Sequence, residues 1–448
     1  ESPLPLPPGI EWPGPVSPCH DGLAELSAML LVQSGKCRGL GQSPRATRAI
    51  SRMAMATMRY DSQTAGSPEL TRRYDVDWLR VFGMMAVFLF HCGRFFDTEG
   101  WHVKSVRTSE VASLLTVVIA VQWLMPLFFV LSGIGAYHSL AAQNWRRYLL
   151  SRVKRLAVPL VFGVFVLIAP YQIYLERISH GQFSGSFWSF YPHYFEGWYG
   201  IQEGGNFAWM GVHLWYLEVL FVFSIVTLPL FLALRSRTGS RLAGALSSTM
   251  KVPGTIFLPA IPIAIMEFLA NSSALQTACH GFLHQRGFGG WSLLPYLAIF
   301  LLGFLLAEGK ETTKAIERHR FVGLVVAVIT FVAAYWLIKV RGLPESSVGF
   351  ALLRGVLCWS CLIAILGFGA RHLRTSNRFL KYANEAVLPF YVLHQTVILA
   401  IGFHVIRLDA PLWVEYLIIV VSSFAATMAL CELFIRRINV LRFLFGLK

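Results

Sequence analysis

Two side chains that could take part in chemistry lie in one hydrophobic segment, DVDWLRVFGMMAVFLFHCGRFF, which covers residues 75–96. Arg80 lies near its start, and His91 follows eleven residues later. Because an α-helix turns by about 100° per residue, this spacing places both side chains on one face, about 16 Å apart along the axis. A histidine exchanges a proton near neutral pH, which is what activating a hydroxyl group requires. The alternative is a histidine that hydrogen-bonds between packed helices.

A basic stretch, RRYLLSRVKRLAVPL, covers residues 146–160. Its Arg152 and Arg155 are separated by three residues and therefore share a helix face. Arginine binds phosphate oxygens in a bidentate manner, so the pair predicts a phosphate-binding site at the cytoplasmic surface. The alternative is an ordinary cluster of positive charges in a cytoplasmic loop.

Two further hydrophobic stretches contain polar side chains. HLWYLEVLF contains His213 and Glu218, and NEAVLPFYVLHQTVI contains Tyr391 and His394. Ionisable groups at membrane depth are costly, and they usually face the interior of a helix bundle or a water-filled cavity. For each pair two roles stay open: packing between helices with satisfied hydrogen bonds, or direct participation in the chemistry.

The elements that position these residues are predicted to be membrane-spanning helices. Of the 448 residues 55% are hydrophobic and only 14% are charged, whereas a soluble domain contains about 25% charged residues. About 20 apolar residues cross the hydrocarbon core of a bilayer. The sequence therefore predicts an all-α, polytopic membrane protein with about ten spans. They are approximately residues 78–96, 111–140, 155–175, 213–234, 253–270, 291–308, 321–339, 350–369, 384–405 and 412–434.

Arginine and lysine concentrate in alternate connections between these spans. The positive-inside rule then predicts that both termini lie on the cytoplasmic side, N-in and C-in. The same rule accounts for the formal net charge of +15, so we expect no nucleic-acid partner. The sequence CWSC at residues 358–361 lies within a span and predicts buried structural thiols. No zinc pattern occurs, and we expect no metal.

Two segments lie outside the predicted spans. Residues 1–70 are rich in proline at their start, and we expect a disordered or non-native tail, followed by one transmembrane domain over residues 71–448. The connection at residues 176–212 is aromatic and rich in glycine. It is either a loop that lies along the membrane interface or a lid that binds an acceptor.

These motifs together resemble acyltransferase family 3, a family of integral-membrane acyltransferases. The likeness rests on the arginine and histidine of the first span, PLFFVLSGIG, the arginines that follow it, HLWYLEVLF, and the FYVLH of the ninth span. RRYDVDWLRVFGMMAVFLFHCGRFF, WHVKS, RLAVPLVFG and PYQIYLER are most similar to the glucan biosynthesis protein C branch, whose members are glucan succinyltransferase-like. The resemblance runs from about residue 72 to residue 436.

The resemblance implies a membrane enzyme of about ten helices that uses cytoplasmic acyl-CoA as co-substrate. It would transfer acetyl, succinyl or a similar acyl group to a hydroxyl of a carbohydrate, a glucan or a lipid-linked acceptor. The protein would lie among membrane lipids, in a bacterial inner membrane or a eukaryotic cell membrane. By position, His91 matches the essential histidine, a general base, and Arg80 matches its paired arginine. Arg152 and Arg155 match a basic pair that is expected to contact coenzyme A.

Five other residues are candidates for orienting His91 or binding the acceptor: His213, Trp215, Glu218, Tyr391 and His394. A covalent acyl-histidine is an alternative to general-base catalysis. A transporter or flippase that uses intramembrane histidine, arginine and glutamate as a relay is an alternative of another class.

Overall fold

The computed structural model describes residues 72–249, 252, 254–272, 277, 289–307 and 309–447. Regular structure in these ranges is helical, and the only β-type pairing within them is an isolated bridge between Trp198 and Phe207. The predicted all-α class is therefore confirmed. The predicted tail at residues 1–70 lies outside the described ranges, so its state stays a prediction.

The described helices follow the hydrophobic pattern of the sequence. They are α1 (Tyr74–Gly93), α2 (Glu110–Ala142), α3 (Trp145–Ser179), α4 (Val212–Val226 with Leu228–Leu234), α5 (Arg237–Thr249), α6 (Thr255–Ala270), α7 (Leu293–Leu306), α8 (Lys310–Arg318), α9 (Arg320–Ile338), α10 (Val348–His372), α11 (Arg378–Val405), α12 (Leu412–Ile435) and α13 (Asn439–Leu444).

The described ranges contain seven to nine candidate membrane spans, compared with the ten that the sequence predicts. Within the described ranges seven helices are long and apolar enough to cross a membrane, and the total reaches nine if each of two bent pairs is one span. The two parts of α4 are bent by 51°, and α7 and α8 are bent by 115°. The predicted span at 253–270 corresponds to α6, an apolar helix shorter than these spans. The count of ten and the orientation of the termini stay predictions.

Helix α6 contains an acidic residue that its hydrophobic surroundings would otherwise exclude. Glu267 is fully buried, and its carboxylate lies 3.4 Å from the guanidinium of Arg354 on α10. A buried charge is tolerated where an opposite charge faces it. This pairing explains why a glutamate interrupts an otherwise apolar helix.

Helices α2 and α7 cross at two glycines. A Cβ atom at Gly133 would lie 2.1 Å from the backbone oxygen of Phe300, and one at Gly303 would lie 2.3 Å from the backbone oxygen of Val130. Small residues at such crossings let helix backbones approach closely in a membrane. Gly133, in the motif PLFFVLSGIG, therefore sets the distance between α2 and α7.

Helix α11 lies at the centre of the bundle and packs against α1, α12 and the end of α3. Gly402 on α11 permits a close approach of the segment that follows α1, because a Cβ there would lie 2.1 Å from the ring of Phe95. Phe95 is fully buried. This packing holds the end of α1, which carries His91, against α11, which carries His394.

Candidate active site

One face of α1 lines two cavities inside the bundle. Arg80, Met84 and Val87 line the first, of about 390 Å³, which we name the basic cavity. Val87 and His91 line the second, of about 580 Å³, which we name the histidine cavity. These four residues follow the spacing of a single helix face. The prediction that Arg80 and His91 share a face is therefore confirmed.

The basic cavity brings together arginines from two helices. Arg80 comes from α1, and Arg152 and Arg155 come from α3, around a π-helical turn at Val153–Ala157. Hydroxyl and amide groups complete its polar lining: Ser132, Ser139, Gln143, Ser151, Tyr216, Asn384 and Tyr391. No aspartate or glutamate is among the described residues that line it. The lining therefore favours an anion.

The three arginines are only partly neutralised by their neighbours. Arg80 donates long hydrogen bonds, both of 3.4 Å, to Asp77 and to Asn384. The guanidinium of Arg152 lies 4.7 Å from the ring centre of Tyr148, and its Nε is buried without a partner among the described residues. Guanidinium groups held in this way can still donate hydrogen bonds to phosphate or carboxylate oxygens.

Three histidines from three helices meet beside the histidine cavity. The ring of His394 lies 5.2 Å from the ring of His91 and 5.2 Å from the ring of His213. His91 and His213 line the cavity, whereas His394 is fully buried behind them. Three of the predicted site residues are therefore neighbours, although they are widely separated in the sequence.

Hydrogen bonding distinguishes these histidines. Nε2 of His213 donates to the backbone oxygens of Tyr391 (3.1 Å) and Val392 (3.2 Å), and its Nδ1 accepts from Gln172 at 3.1 Å. Both ring nitrogens of His213 are thus in use, and its orientation is fixed. In contrast, Nδ1 of His91 and Nε2 of His394 are buried without a partner among the described residues. Only these two have a nitrogen left for proton transfer or for further hydrogen bonding.

Tyr391 lies between the two cavities. Tyr391, Val87 and Met125 line both of them, so the cavities adjoin at these three side chains. The hydroxyl of Tyr391 donates to the backbone oxygen of His213 at 2.5 Å, and its own backbone oxygen accepts from Nδ1 of His394 at 2.7 Å. Its position is therefore tied to both neighbouring histidines.

The structure adds a histidine–carboxylate pair that the sequence analysis did not single out. His102 lines the histidine cavity, and its Nδ1 donates to the carboxylate of Glu176 on α3. Tyr199 donates to the same carboxylate at 2.8 Å. Burial, and then the adjacent carboxylate, raise the pKa of Tyr199 above its usual range, so its hydroxyl stays protonated and remains a donor.

An indole ring connects this pair with His91. The ring of Trp101 stacks on His91 at 6.2 Å and lies 5.8 Å from the ring of His102. Trp101 and His102 belong to the WHVKS stretch, and Glu176 belongs to PYQIYLER. All three residues therefore lie in stretches on which the family resemblance rests. The sequence could not predict the contact between His102 and Glu176, which are 74 residues apart in the chain.

The aromatic connection between α3 and α4 packs as a unit against α3. Phe190 and Tyr194 are buried in a small core of their own, and burial raises the pKa of Tyr194. Arg177 fastens the segment by donating to the side chain of Asn206 at 2.7 Å and to the backbone oxygen of Gly205 at 2.8 Å. The segment therefore has a defined position beside the histidine cavity, and its role as a lid or as an interfacial loop stays open.

Two predicted residues on α4 differ in position. Trp215 lines the histidine cavity and packs against Tyr296, with ring centres 5.8 Å apart. Glu218 lines neither cavity, and one of its carboxylate oxygens is buried without a partner among the described residues. The helix thus brings Trp215 to the site and holds Glu218 away from it.

Comparison with known proteins agrees with the residue pattern and the helical bundle. The model of the acyltransferase domain family matches residues 73–432. Glucans biosynthesis protein C from Salmonella heidelberg is 23% identical over 392 residues, which cover 84% of this chain and 95% of the relative. Its counterpart from Escherichia coli is 24% identical over 387 residues, with the same coverage. No solved structure matches the chain significantly.

The family match covers most of the chain, including the helices that carry the basic and histidine cavities. Several of these helices are long and apolar enough to cross a membrane. The chain therefore belongs to acyltransferase family 3 and is a multi-pass membrane acyltransferase that transfers groups other than aminoacyl groups.

Proposed function

We propose that this protein transfers an acyl group from cytoplasmic acyl-CoA to a hydroxyl of a carbohydrate or lipid-linked acceptor, with His91 as general base. One observation carries the proposal: a cavity with three arginines adjoins a cavity with histidines, and Val87, Met125 and Tyr391 line both. This arrangement suits a donor that has an anionic head and a reactive end far from it.

The basic cavity fits the head of the donor. Coenzyme A carries phosphate groups, and arginine is the side chain best suited to bind them in pairs of hydrogen bonds. Toward the histidine cavity the lining becomes apolar, with Met84, Val87 and Met125. These side chains would accompany the long pantetheine arm and keep water away from the thioester that the donor supplies.

His91 and His394 would then handle the proton. Nδ1 of His394 donates to a backbone carbonyl, so its Nε2 is an acceptor when the ring is neutral. These two nitrogens, Nε2 of His394 and Nδ1 of His91, have no partner in the described structure, and during the reaction Nε2 of His394 would accept Nδ1–H of His91, which leaves Nε2 of His91 as the basic nitrogen. His91 removes the proton of the acceptor hydroxyl as its oxygen attacks the thioester carbonyl. The acyl–sulfur bond breaks, an ester bond forms, and His91 returns the proton to the departing thiolate.

The histidine cavity supports a polyhydroxylated acceptor. It combines an indole and imidazole rings with charged groups from Arg94 and Glu99, and sugar rings pack on aromatic faces while their hydroxyls bond to polar groups. The curated relatives are named for glucan biosynthesis, and a glucan is an acceptor of this kind. We therefore place carbohydrate first among acceptors and expect an acetyl, succinyl or similar acyl group.

Two measurements test the proposal. Mass spectrometry of glycans and lipids from cells with and without the protein should reveal one class of molecule that is heavier by one acyl group. Purified protein in lipid nanodiscs should then release one free thiol of coenzyme A for each ester formed, and only when the acceptor is present. An unchanged acceptor mass together with an intact donor would contradict the proposal and favour a transporter.

A further inference from the structure

A third cavity, of about 330 Å³, adjoins the basic cavity, and we name it the C-terminal cavity. Arg155 and Asn384 line both, so the two spaces meet at these side chains. The C-terminal cavity shares no residue with the described lining of the histidine cavity. The basic cavity is therefore the one that shares lining residues with both of the others.

The segment at α13 builds one wall of this cavity by folding back onto α3. Phe445 is buried, and its ring lies 5.5 Å from the ring of Phe162. Gly446 has a φ of +70°, and a Cβ there would lie 2.9 Å from Leu388 and 3.3 Å from the Cα of Arg155. Only glycine suits this turn without strain, and the turn holds the segment beside Arg155.

The lining of the C-terminal cavity is strongly basic. Arg155, Arg436 and Arg442 line it, whereas Glu385 is the one acidic residue among its described lining residues. Arg436 pairs with two carboxylates, Glu385 at 3.4 Å and Glu432 at 3.3 Å; the two glutamate side chains are 66% and 40% exposed, so solvent weakens both pairings. Arg442 donates to the backbone oxygen of Arg436 at 3.2 Å, which fixes its position at the wall. The described lining of the C-terminal cavity therefore contains more arginines than carboxylates.

We propose that the C-terminal cavity binds the phosphate monoester on the ribose of coenzyme A, while the basic cavity binds the diphosphate. This inference rests on the proposed function. Coenzyme A carries phosphate at two positions separated by a ribose, and the pantetheine arm leaves from the diphosphate. The diphosphate must therefore occupy the basic cavity, which adjoins the histidine cavity, and the monoester must occupy the C-terminal cavity. Arg155, which lines both cavities, contacts both groups.

The test compares acyl-CoA with its analogue that lacks the 3′-phosphate, in protein reconstituted in phosphatidylcholine nanodiscs. Because hydrogen bonds to charged groups contribute about 1.5–3 kcal/mol, wild-type kcat/KM should be about 10- to 100-fold higher for acyl-CoA. Arg442→Gln should lower this ratio about tenfold by reducing the value for acyl-CoA, while Arg155 and Arg436 still line the cavity. Arg437→Gln, a substitution of an exposed neighbour that does not line the cavity, should keep the wild-type ratio.

The same experiment separates a donor site from a lipid site, since an anionic lipid headgroup has the same phosphate chemistry. For the wild type, the ratio of kcat/KM for acyl-CoA to that for the analogue should stay the same when phosphatidylglycerol is added to the nanodiscs. If Arg442→Gln instead abolishes a stimulation by phosphatidylglycerol and leaves the ratio unchanged, the cavity binds lipid and the inference is wrong. Equal kcat/KM values of the wild type for acyl-CoA and for the analogue would also overturn the inference. The proposed function would remain intact in that case, because the protein still transfers the acyl group from both donors. Lack of transfer from either donor would overturn the proposed function and this inference together.

Discussion

The junction of the basic and histidine cavities, which we propose as the passage for the pantetheine arm, offers the sharpest structural prediction. Val87 on α1 is 5% exposed and lines both cavities. Val87→Trp should fill the passage and prevent the pantetheine arm from reaching His91. A passage that is closed for 99% of the time lowers the transfer rate about 100-fold, which corresponds to about 2.7 kcal/mol. Overpacking should destabilise the protein by only about 1–3 kcal/mol, so it should remain folded.

The assay is the release of free coenzyme A thiol at saturating acceptor, together with calorimetric binding of coenzyme A. We expect the rate to fall at least about 100-fold, while binding changes by less than about tenfold, because the arginines of the basic cavity are untouched. Leu89→Trp is the matched control, since Leu89 lies on the same helix, is 44% exposed and lines neither cavity. A folded Val87→Trp variant with the wild-type rate would refute the route through the bundle.

Three further predictions follow from the contacts around the site. Arg152→Gln should raise KM for acyl-CoA about 10- to 100-fold with kcat nearly unchanged, because phosphate contacts are the same in the ground and transition states. Arg147 is exposed on the same helix, and an equal effect of Arg147→Gln would contradict this prediction. Gly133→Leu should cost about 3 kcal/mol or more of stability, since its Cβ would lie 2.1 Å from a carbonyl of α7, and an unchanged unfolding temperature in detergent would disprove it. Glu176→Gln removes the charge that holds His102 and should lower kcat/KM for the acceptor about tenfold, whereas a selective rise in the donor KM would argue against this role.

Helical periodicity and charge predicted much of the architecture around the site. The spacing of Arg80 and His91 predicted their shared face, and the basic stretch at residues 146–160 predicted that Arg152 and Arg155 would form an anion-binding pair. The common lining of the basic cavity agrees with both. These features depend on local geometry and on the membrane, so one sequence is sufficient to predict them.

Contacts between distant helices could not be predicted in the same way. Gln172 positions His213, and Glu176 holds His102, but nothing in their own segments indicates the partner. The number of spans also stays a prediction, because α6 is apolar but short. Glu218 shows a limit of motif reasoning: five residues after His213, it lies about 140° around an ideal helix and cannot share its face.

The central claim is that His91 acts as the general base. Single-turnover acyl transfer by the purified His91→Gln variant tests this claim most directly. A positioned general base contributes about 10²- to 10⁴-fold, so the rate should fall by that factor while the affinity for coenzyme A stays within about tenfold of wild type. His180→Gln, at an exposed position just after α3, should keep the wild-type rate. A correctly folded His91→Gln protein that transfers the acyl group at the wild-type rate would contradict the mechanism.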